Sequence, residues 1–191
     1  EAGGLEANEI LYRPELTERF KGYFDVVRRE RDKPNIYMPF FHLKSEGFWH
    51  LQPLSGQAAV LDAMRTAVSH ADITGNIRSV QLDPELHMML QDSNSRQKLR
   101  ATLISRWFGD RAEKVWSVVN SNRTANDAEV ELRKTVEGGA NQIRDTETPA
   151  RSTAFRRLVL QAYDYRCAAT GWRIIMPGGA SLIEAAHIVP F

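Results

Sequence analysis

The apolar pattern of this chain is interrupted between residues 138 and 152. This stretch contains Gly138-Gly139 and, further on, a Thr-Glu-Thr run before Pro149, a composition typical of a connector. With 191 residues, the chain is long enough for one large domain or two small ones. We therefore predict a first domain over residues 1–138, a linker over 139–151 and a second domain over 152–191.

The charge balance excludes a large, uniformly basic surface. Lys and Arg number 25 against 24 Asp and Glu, which gives a formal net charge of +1. A surface that binds nucleic acid would therefore have to be a local cluster of basic residues.

The sequence also indicates a cellular compartment. The single cysteine, Cys167, cannot form an internal disulfide, which fits a reducing cytoplasm. No apolar stretch approaches the roughly 20 residues of a membrane helix, and Glu1, Glu6 and Glu9 make the N-terminus unlike a signal peptide. We therefore expect a soluble, cytoplasmic protein with no membrane partner.

Proline and glycine residues divide a mostly helical first domain. Pro14 suits the first turn of a helix, which we expect to end near Arg31. Three further helix starts are predicted: Ser55 and Asp83 are capping residues before an apolar stripe, and another helix opens at Ser93. Gly75 should lie beyond the end of the first of these helices, and Gly109 should end the last. Apolar residues over 115–119 predict one more helix, and those over 130–136 belong to a more charged segment that leads to Gly138.

The helix that begins at Ser93 combines an apolar face with a basic one. Its apolar residues, predicted to face inward, are Leu99, Leu103, Trp107 and Phe108. Its basic residues, spread over the remaining surface, are Arg96, Lys98, Arg100 and Arg106.

Two pairs of strands are predicted. Residues 36–43 and 48–51 are rich in aromatic and β-favouring side chains and flank a polar loop at 44–47, which indicates a hairpin. In the second domain, a helix over 155–163 precedes strands at 173–176 and 182–189, which flank the turn at Pro177. The predicted fold class is mainly α with a small antiparallel β-sheet (α+β).

The last forty residues carry an ordered set of motifs. After the helix come Tyr165-Arg-Cys-x-x-Thr-Gly171, the hairpin, and Ala186-His-Ile-x-Pro190. This order resembles the start of the ββα-metal HNH nuclease domain of restriction endonucleases. The resemblance implies that His187 is the general base that accepts a proton from the attacking water. A later asparagine and histidine, with a divalent metal of the Mg or Mn class, would complete the site, so we expect the sequence as far as Phe191 to be inactive alone.

Two positions differ from the HNH pattern. Ala186 stands where many HNH sites have an acidic metal ligand, so the ligands contributed by this segment are unknown. Thr170 replaces the second cysteine of the zinc-binding Cys-x-x-Cys pair that relatives often carry, so we expect no structural zinc. Cys167 is interpreted as a small packing residue rather than a nucleophile.

The first domain carries the motif Pro39-Phe-x-x-Leu-x-x-x-Gly-x-Trp49. This motif resembles a signature found before HNH domains in modification-dependent (type IV) restriction enzymes, in a sulfur-binding domain that recognises phosphorothioate DNA. Candidate residues for an apolar sulfur cup are Pro39, Phe40, Trp107, Phe108 and Gly109. Candidate contacts to phosphates or base edges are His42, Lys44, Arg100 and Arg106.

Together these resemblances predict an endonuclease that selects modified, phosphorothioated duplex DNA and hydrolyses it at a metal-dependent HNH site. Cleavage of both strands by single-site nucleases favours a homodimer, because two strands require two cuts. Two alternatives stay open: a DNA-binding or regulatory module with a non-catalytic HNH remnant, and an HNH enzyme whose first domain binds a protein or unmodified DNA.

Overall fold

The computed structural model describes residues 7–137, 148–176 and 181–185. The described residues form two compact units, one up to Ala112 and the other from Glu113 onward. The predicted linker at 139–151 lies mostly outside the described residues, and the division into domains 1–138 and 152–191 stays a prediction.

The first unit is mostly helical, with two paired strands among its described residues. Its helices are α1 (Pro14–Val27), α2 (Tyr37–His42), α3 (Ala58–Ala63), α4 (His70–Asn76), α5 (Pro84–Gln91) and α6 (Ser93–Trp107), with 3₁₀ turns at Leu43–Glu46 and Gly109–Arg111. Its strands are β1 (Trp49–Pro53) and β2 (Ile77–Leu82). This content confirms the predicted α+β class.

The strands β1 and β2 are antiparallel and bring distant parts of the unit together. Trp49 is opposite Leu82 and Leu51 is opposite Val80, and the register shifts between Gln52 and Pro53. A third segment joins on the other side of β2, where Ile10 and Val80 exchange backbone hydrogen bonds of 2.8 and 2.9 Å. The Asn8 side chain adds a pair of hydrogen bonds to the backbone of Leu82, at 2.9 and 3.0 Å.

The hydrophobic core of the first unit lies between β2 and the short helices. Its buried members are Phe40, Phe41, Leu61, Ala67, Ile73, Ile77 and Val80. The indole Nε1 of Trp49 donates to the carbonyl of Phe40 at 2.7 Å, which links β1 to α2. Burial raises the pKa of Tyr12, and Tyr37 raises it further, so the Tyr12 hydroxyl keeps its proton and shares a short hydrogen bond with Nδ1 of His70.

The predicted hairpin over 36–51 is wrong. Residues 37–46 are helical, and β1 pairs with β2 rather than with the preceding segment. Adjacent Phe40 and Phe41 are both buried, at 3% and 0% exposure, whereas neighbouring residues of a half-buried strand point to opposite faces. Pro39 is tolerated because it lies in the first turn of α2, where backbone N–H groups lack helical partners.

Three further helix predictions need correction. Ser55 does not cap a single helix through Val68; α3 ends at Ala63, Ser69 caps α4, and Gly75 lies within α4. In α6 the predicted inward face is also wrong in part, since Leu103 is 57% and Trp107 71% exposed while Ile104 is buried. The helix α1 ends at Val27 rather than near Arg31.

Several predicted helix limits are confirmed. Pro14 is in the first turn of α1. The Asp83 side chain accepts hydrogen bonds from the backbone N–H groups of Glu85 and Leu86, so Asp83-Pro84 opens α5 as predicted. The helix α6 begins at Ser93 and ends at Trp107, just before Gly109.

The second unit contains two described helices, α7 (Ala112–Glu137) and α8 (Pro149–Ala162). Arg157 of α8 donates to the side-chain oxygens of Asn122 and Asn126 on α7, at 2.7 and 3.2 Å. Of the two predicted strands, the described residues show a single antiparallel bridge between Ile175 and Ser181. No helix in the described part of the chain is both long and apolar enough to cross a lipid bilayer.

A reciprocal cap at the start of α4 predicts a pH effect. The Asp72 carboxylate accepts backbone hydrogen bonds from Val68 at 2.7 Å and Ser69 at 3.0 Å, and these lower its pKa. Its stabilising effect is therefore complete above the unfolded-state pKa of about 3.9 and disappears as the pH falls through the lower folded-state value.

We expect Asp72→Asn to reduce the free energy of unfolding at pH 7 and to flatten its decline between about pH 5 and pH 3. Urea unfolding across this pH range would measure both effects. Asp62→Asn, a charge removal of the same size on α3, is the control. Parallel pH profiles for the wild type and Asp72→Asn would show that the cap does not stabilise the fold.

Candidate nucleic-acid interface

The helix α6 is the most basic element of the first unit among the candidates for DNA contact. Asp92 caps its start by accepting from the backbone N–H of Ser95 at 2.7 Å. Arg96 donates to the carbonyls of Leu90 and Gln91 at 2.6 and 2.7 Å, so this guanidinium joins α5 to α6. Further along the helix, Arg100 is half-buried, and Arg106 is exposed.

The end of α6 places an aromatic side chain in solvent. We call its last residue, Trp107, together with Phe108 and Gly109 the 107–109 turn. The Trp107 side chain is 71% exposed, whereas Phe108 is half-buried. The N–H of Phe108 still donates to the carbonyl of Ile104 at 2.9 Å, so the turn continues directly from the helix. The arrangement offers an exposed indole beside the cationic Arg106.

The second group of candidates, which we call the α2 group, consists of Pro39, Phe40 and His42 on α2 and Lys44 on the 3₁₀ turn after it. His42 Nε2 is 3.1 Å from Thr66 Oγ1, and Lys44 Nζ donates to the carbonyl of Met64 at 3.2 Å. The same ammonium lies 3.9 Å from the centre of the Phe41 ring, within range of a cation–π interaction. Both side chains are exposed, and these contacts fix them beside residues 64–66.

The candidate cup residues therefore differ in accessibility. Pro39, Trp107 and Gly109 are exposed, but Phe40 is 3% exposed and packs in the core. In this conformation Phe40 presents no surface to a ligand, because its ring packs edge-to-face against Tyr12 and Trp49. Pro39 lies on α2, whereas Trp107 is the last residue of α6.

Sequence reasoning missed one residue of this surface, Arg111. The Arg111 guanidinium donates to the carbonyl of Val27 in a short hydrogen bond and lies 3.5 Å from the carbonyl of Arg28. It thereby connects the Gly109–Arg111 turn to the end of α1, more than 80 residues earlier. The sequence signal was weak, because an arginine after Gly109-Asp110 resembles any solvated turn residue.

In the second unit, the turn of the Tyr165–Gly171 motif is held by hydrogen bonds between its own backbone groups. Cys167 N–H donates to the Trp172 carbonyl and Gly171 N–H to the Cys167 carbonyl, both at 2.8 Å. Gly171 has a φ of +70°, which favours glycine. Hydrogen bonds from the Thr170 side chain and from the N–H groups of Thr170 and Ala169 lower the pKa of the half-buried Cys167 thiol. This geometry fits a tight structural turn.

The predicted catalytic residue, His187, lies outside the described residues, as does Ala186. Among the residues that the structure does describe, no three His, Cys, Asp or Glu side chains lie together as a metal site requires. The divalent metal and the expected absence of structural zinc therefore both stay predictions about the second unit.

Comparison with known families identifies the first part of the chain. No curated protein shows a significant match. The family model of the ScoMcrA-like DNA sulfur-binding domain matches residues 17–129. The matched region runs from α1 into α7 and contains the α2 group, the basic helix α6, the 107–109 turn and Arg111. Because the match covers more than half of the 191 residues, the chain belongs to the ScoMcrA-like DNA sulfur-binding domain family.

Proposed function

We propose that this chain binds duplex DNA with a phosphorothioate in its backbone, and that the 107–109 turn contacts the sulfur. Membership of a DNA sulfur-binding family supports DNA as the partner. The observation that carries the choice of turn is the Trp107 side chain, 71% exposed at the end of a basic helix. Trp172 is equally exposed, but Trp107 lies within the region that the family model matches and directly follows the exposed Arg106.

The chemistry of a phosphorothioate explains why such a turn would prefer it. Sulfur in place of a non-bridging oxygen leaves the charge of the group unchanged but is larger, more polarizable and less strongly hydrated. Entry into an apolar site therefore removes less hydration from sulfur than from oxygen. The Trp107 indole supplies the apolar face, and the exposed Arg106 supplies a positive charge for the remaining oxygen.

Replacing Trp107 with alanine tests this assignment. Loss of roughly 50–100 Å² of apolar contact would weaken phosphorothioate binding about 10- to 70-fold and leave ordinary duplex binding little changed. Fluorescence anisotropy with matched duplexes, with and without the sulfur, measures both affinities. Trp172→Ala is the matched control, because Trp172 is 70% exposed and lies in the second unit.

The outcomes separate two claims. Equal affinity of the wild-type protein for sulfur-containing and ordinary duplexes would remove the sulfur proposal altogether. A Trp107→Ala protein that keeps the full preference would leave the family function intact and place the sulfur contact elsewhere, with Pro39 as the remaining exposed apolar candidate.

We also propose that the second unit begins an HNH nuclease domain, so that sulfur recognition selects the DNA to be cut. The helix α8 followed by the Cys167–Gly171 hydrogen-bonded turn supports this, because that order of elements is the one the motif predicts. Incubating the product of the complete gene with phosphorothioate and ordinary plasmids, in the presence of Mg²⁺ or Mn²⁺, tests the proposal. Binding without cleavage under both metals would favour a DNA-binding or regulatory module.

A further inference from the structure

Residues 28–33, between α1 and α2, form an exposed basic segment, which we call the basic turn. It contains four basic and two acidic residues, so its excess of two positive charges is larger than the +1 of the entire chain. All six residues are exposed. Because the protein as a whole is nearly neutral, this excess creates a positive potential that is confined to the basic turn.

The basic turn has a defined conformation. The N–H of Arg29 donates to Asp32 Oδ2 at 2.8 Å, and the N–H of Asp32 donates to the Arg29 carbonyl at 3.1 Å. Arg28 lies 3.8 Å from the Asp25 carboxylate. These contacts engage two carboxylates locally and hold the backbone in a closed turn, with Arg29, Arg31 and Lys33 at its surface.

Arg111 connects the basic turn to the 107–109 turn. Its guanidinium donates to the carbonyl of Val27 and approaches that of Arg28, while its backbone N–H donates to the Phe108 carbonyl at 2.8 Å. One residue thus touches both turns, and both belong to the same compact unit. These contacts place the start of the basic turn next to the Gly109–Arg111 turn, which follows Trp107 and Phe108 directly.

We propose that the basic turn binds the DNA backbone beside the sulfur site, through Arg29 and Arg31, and that Arg111 is a positioning residue that fixes this turn. The proposal rests on the proposed function, since it places the duplex at Trp107. The chosen ligand is duplex DNA because phosphates at regular spacing match a short row of cations. These contacts carry no information about sulfur or base sequence.

The double variant Arg29→Gln/Arg31→Gln tests the contact through the salt dependence of binding. Each lost phosphate contact reduces the magnitude of the negative slope of log Kobs against log[salt] by about 0.9. The loss of two contacts should therefore reduce this magnitude by roughly 1.8. A slope of about 0.9 per contact means that each contact strengthens binding roughly tenfold when the salt concentration falls from 1 M to 0.1 M. A variant that lacks one contact therefore binds roughly tenfold more weakly than the wild type at 0.1 M salt. The loss should be equal for phosphorothioate and ordinary duplexes, so that the preference for sulfur is unchanged.

A control with the same change in charge is available. Arg13→Gln/Arg78→Gln also removes two exposed cations. Arg13 precedes the start of the 14-residue α1, about 21 Å from its other end, where the basic turn begins. We expect this control to keep the wild-type slope. An unchanged slope in the Arg29/Arg31 variant, the same decrease in the control, or a loss confined to phosphorothioate DNA would each overturn the proposal.

Arg111→Gln tests the positioning role by a double-mutant cycle. Alone it should weaken binding to both duplexes, and in the Arg29→Gln/Arg31→Gln background it should have much less effect. Thermal unfolding of each variant identifies any general loss of structure. Additive losses would show that Arg111 does not act through the basic turn. If the wild-type protein lacks a preference for sulfur but the slope still falls as expected, the backbone contact stands and only the sulfur proposal fails.

Discussion

Phe41→Ala is expected to lower the free energy of unfolding of the first unit by about 3–5 kcal/mol. Phe41 is among the largest fully buried side chains, at 0% exposure, and belongs to the core formed with Ile73, Ile77 and Val80. Truncation to alanine leaves a cavity that the short helices can only partly fill. Because small domains are stable by only about 5–15 kcal/mol, a loss of this size removes a large share of the total.

Urea unfolding of Phe41→Ala followed by circular dichroism measures this loss. The Trp107→Ala protein is a suitable control, because it removes an aromatic ring that is 71% exposed and should change stability by less than about 1 kcal/mol. A loss below about 1 kcal/mol for Phe41→Ala would mean that the residue does not pack in the core as described.

His187→Ala in the product of the complete gene is expected to reduce cleavage by about 10²–10⁴-fold and to leave DNA binding unchanged. The physical reason lies in the proposed HNH role, in which this imidazole would act as the general base, and the ordinary pKa of an imidazole lies near neutrality. A single-turnover cleavage assay with saturating protein measures the chemical step separately from binding. His50→Ala removes an exposed histidine of β1 and serves as the control.

Normalising each cleavage rate to the bound fraction keeps the comparison independent of small changes in affinity. A His187→Ala protein that cuts at the wild-type rate would rule out the role of this imidazole. Equal loss in the His50→Ala control would instead indicate damage that is not specific to the proposed site.

Local signals in the sequence predicted several elements correctly. A capping aspartate before a proline predicts the start of a helix from its own chemistry, and Asp83 accepts the expected backbone hydrogen bonds in α5. Pro14 acts in the same local way in the first turn of α1. These features depend on a few adjacent residues, so no knowledge of the tertiary structure is needed.

The strand pairing could not be predicted in this way. Residues 37–43 have a composition that favours β-structure, yet burial of both Phe40 and Phe41 is better satisfied by the short helix α2. The true partner of β1 is β2, in which Ser79, fully buried, interrupts the alternation of apolar and polar residues. The sequence pattern of this segment therefore predicts no strand.

The sequence identified some residues of the candidate site but not the positions of their side chains. Arg106 and Trp107 were identified from the basic helix and its apolar stripe, and both are exposed at the end of α6. Helical periodicity predicted that Trp107 faces inward, because it cannot distinguish an apolar side chain that packs in the core from one that is exposed. Arg111 was missed because its role depends on a carbonyl more than 80 residues away.

The hydrogen bonds of Asn8 and Ile10 to β2 affect how this domain should be produced for experiments. The family match begins at residue 17, but an expressed fragment that starts there would lack the segment that covers one side of β2. The backbone groups of Val80 would then be free to pair with another molecule, as unprotected strand edges do. Fragments for DNA-binding assays should therefore begin no later than residue 7, so that self-association is not mistaken for cooperative binding.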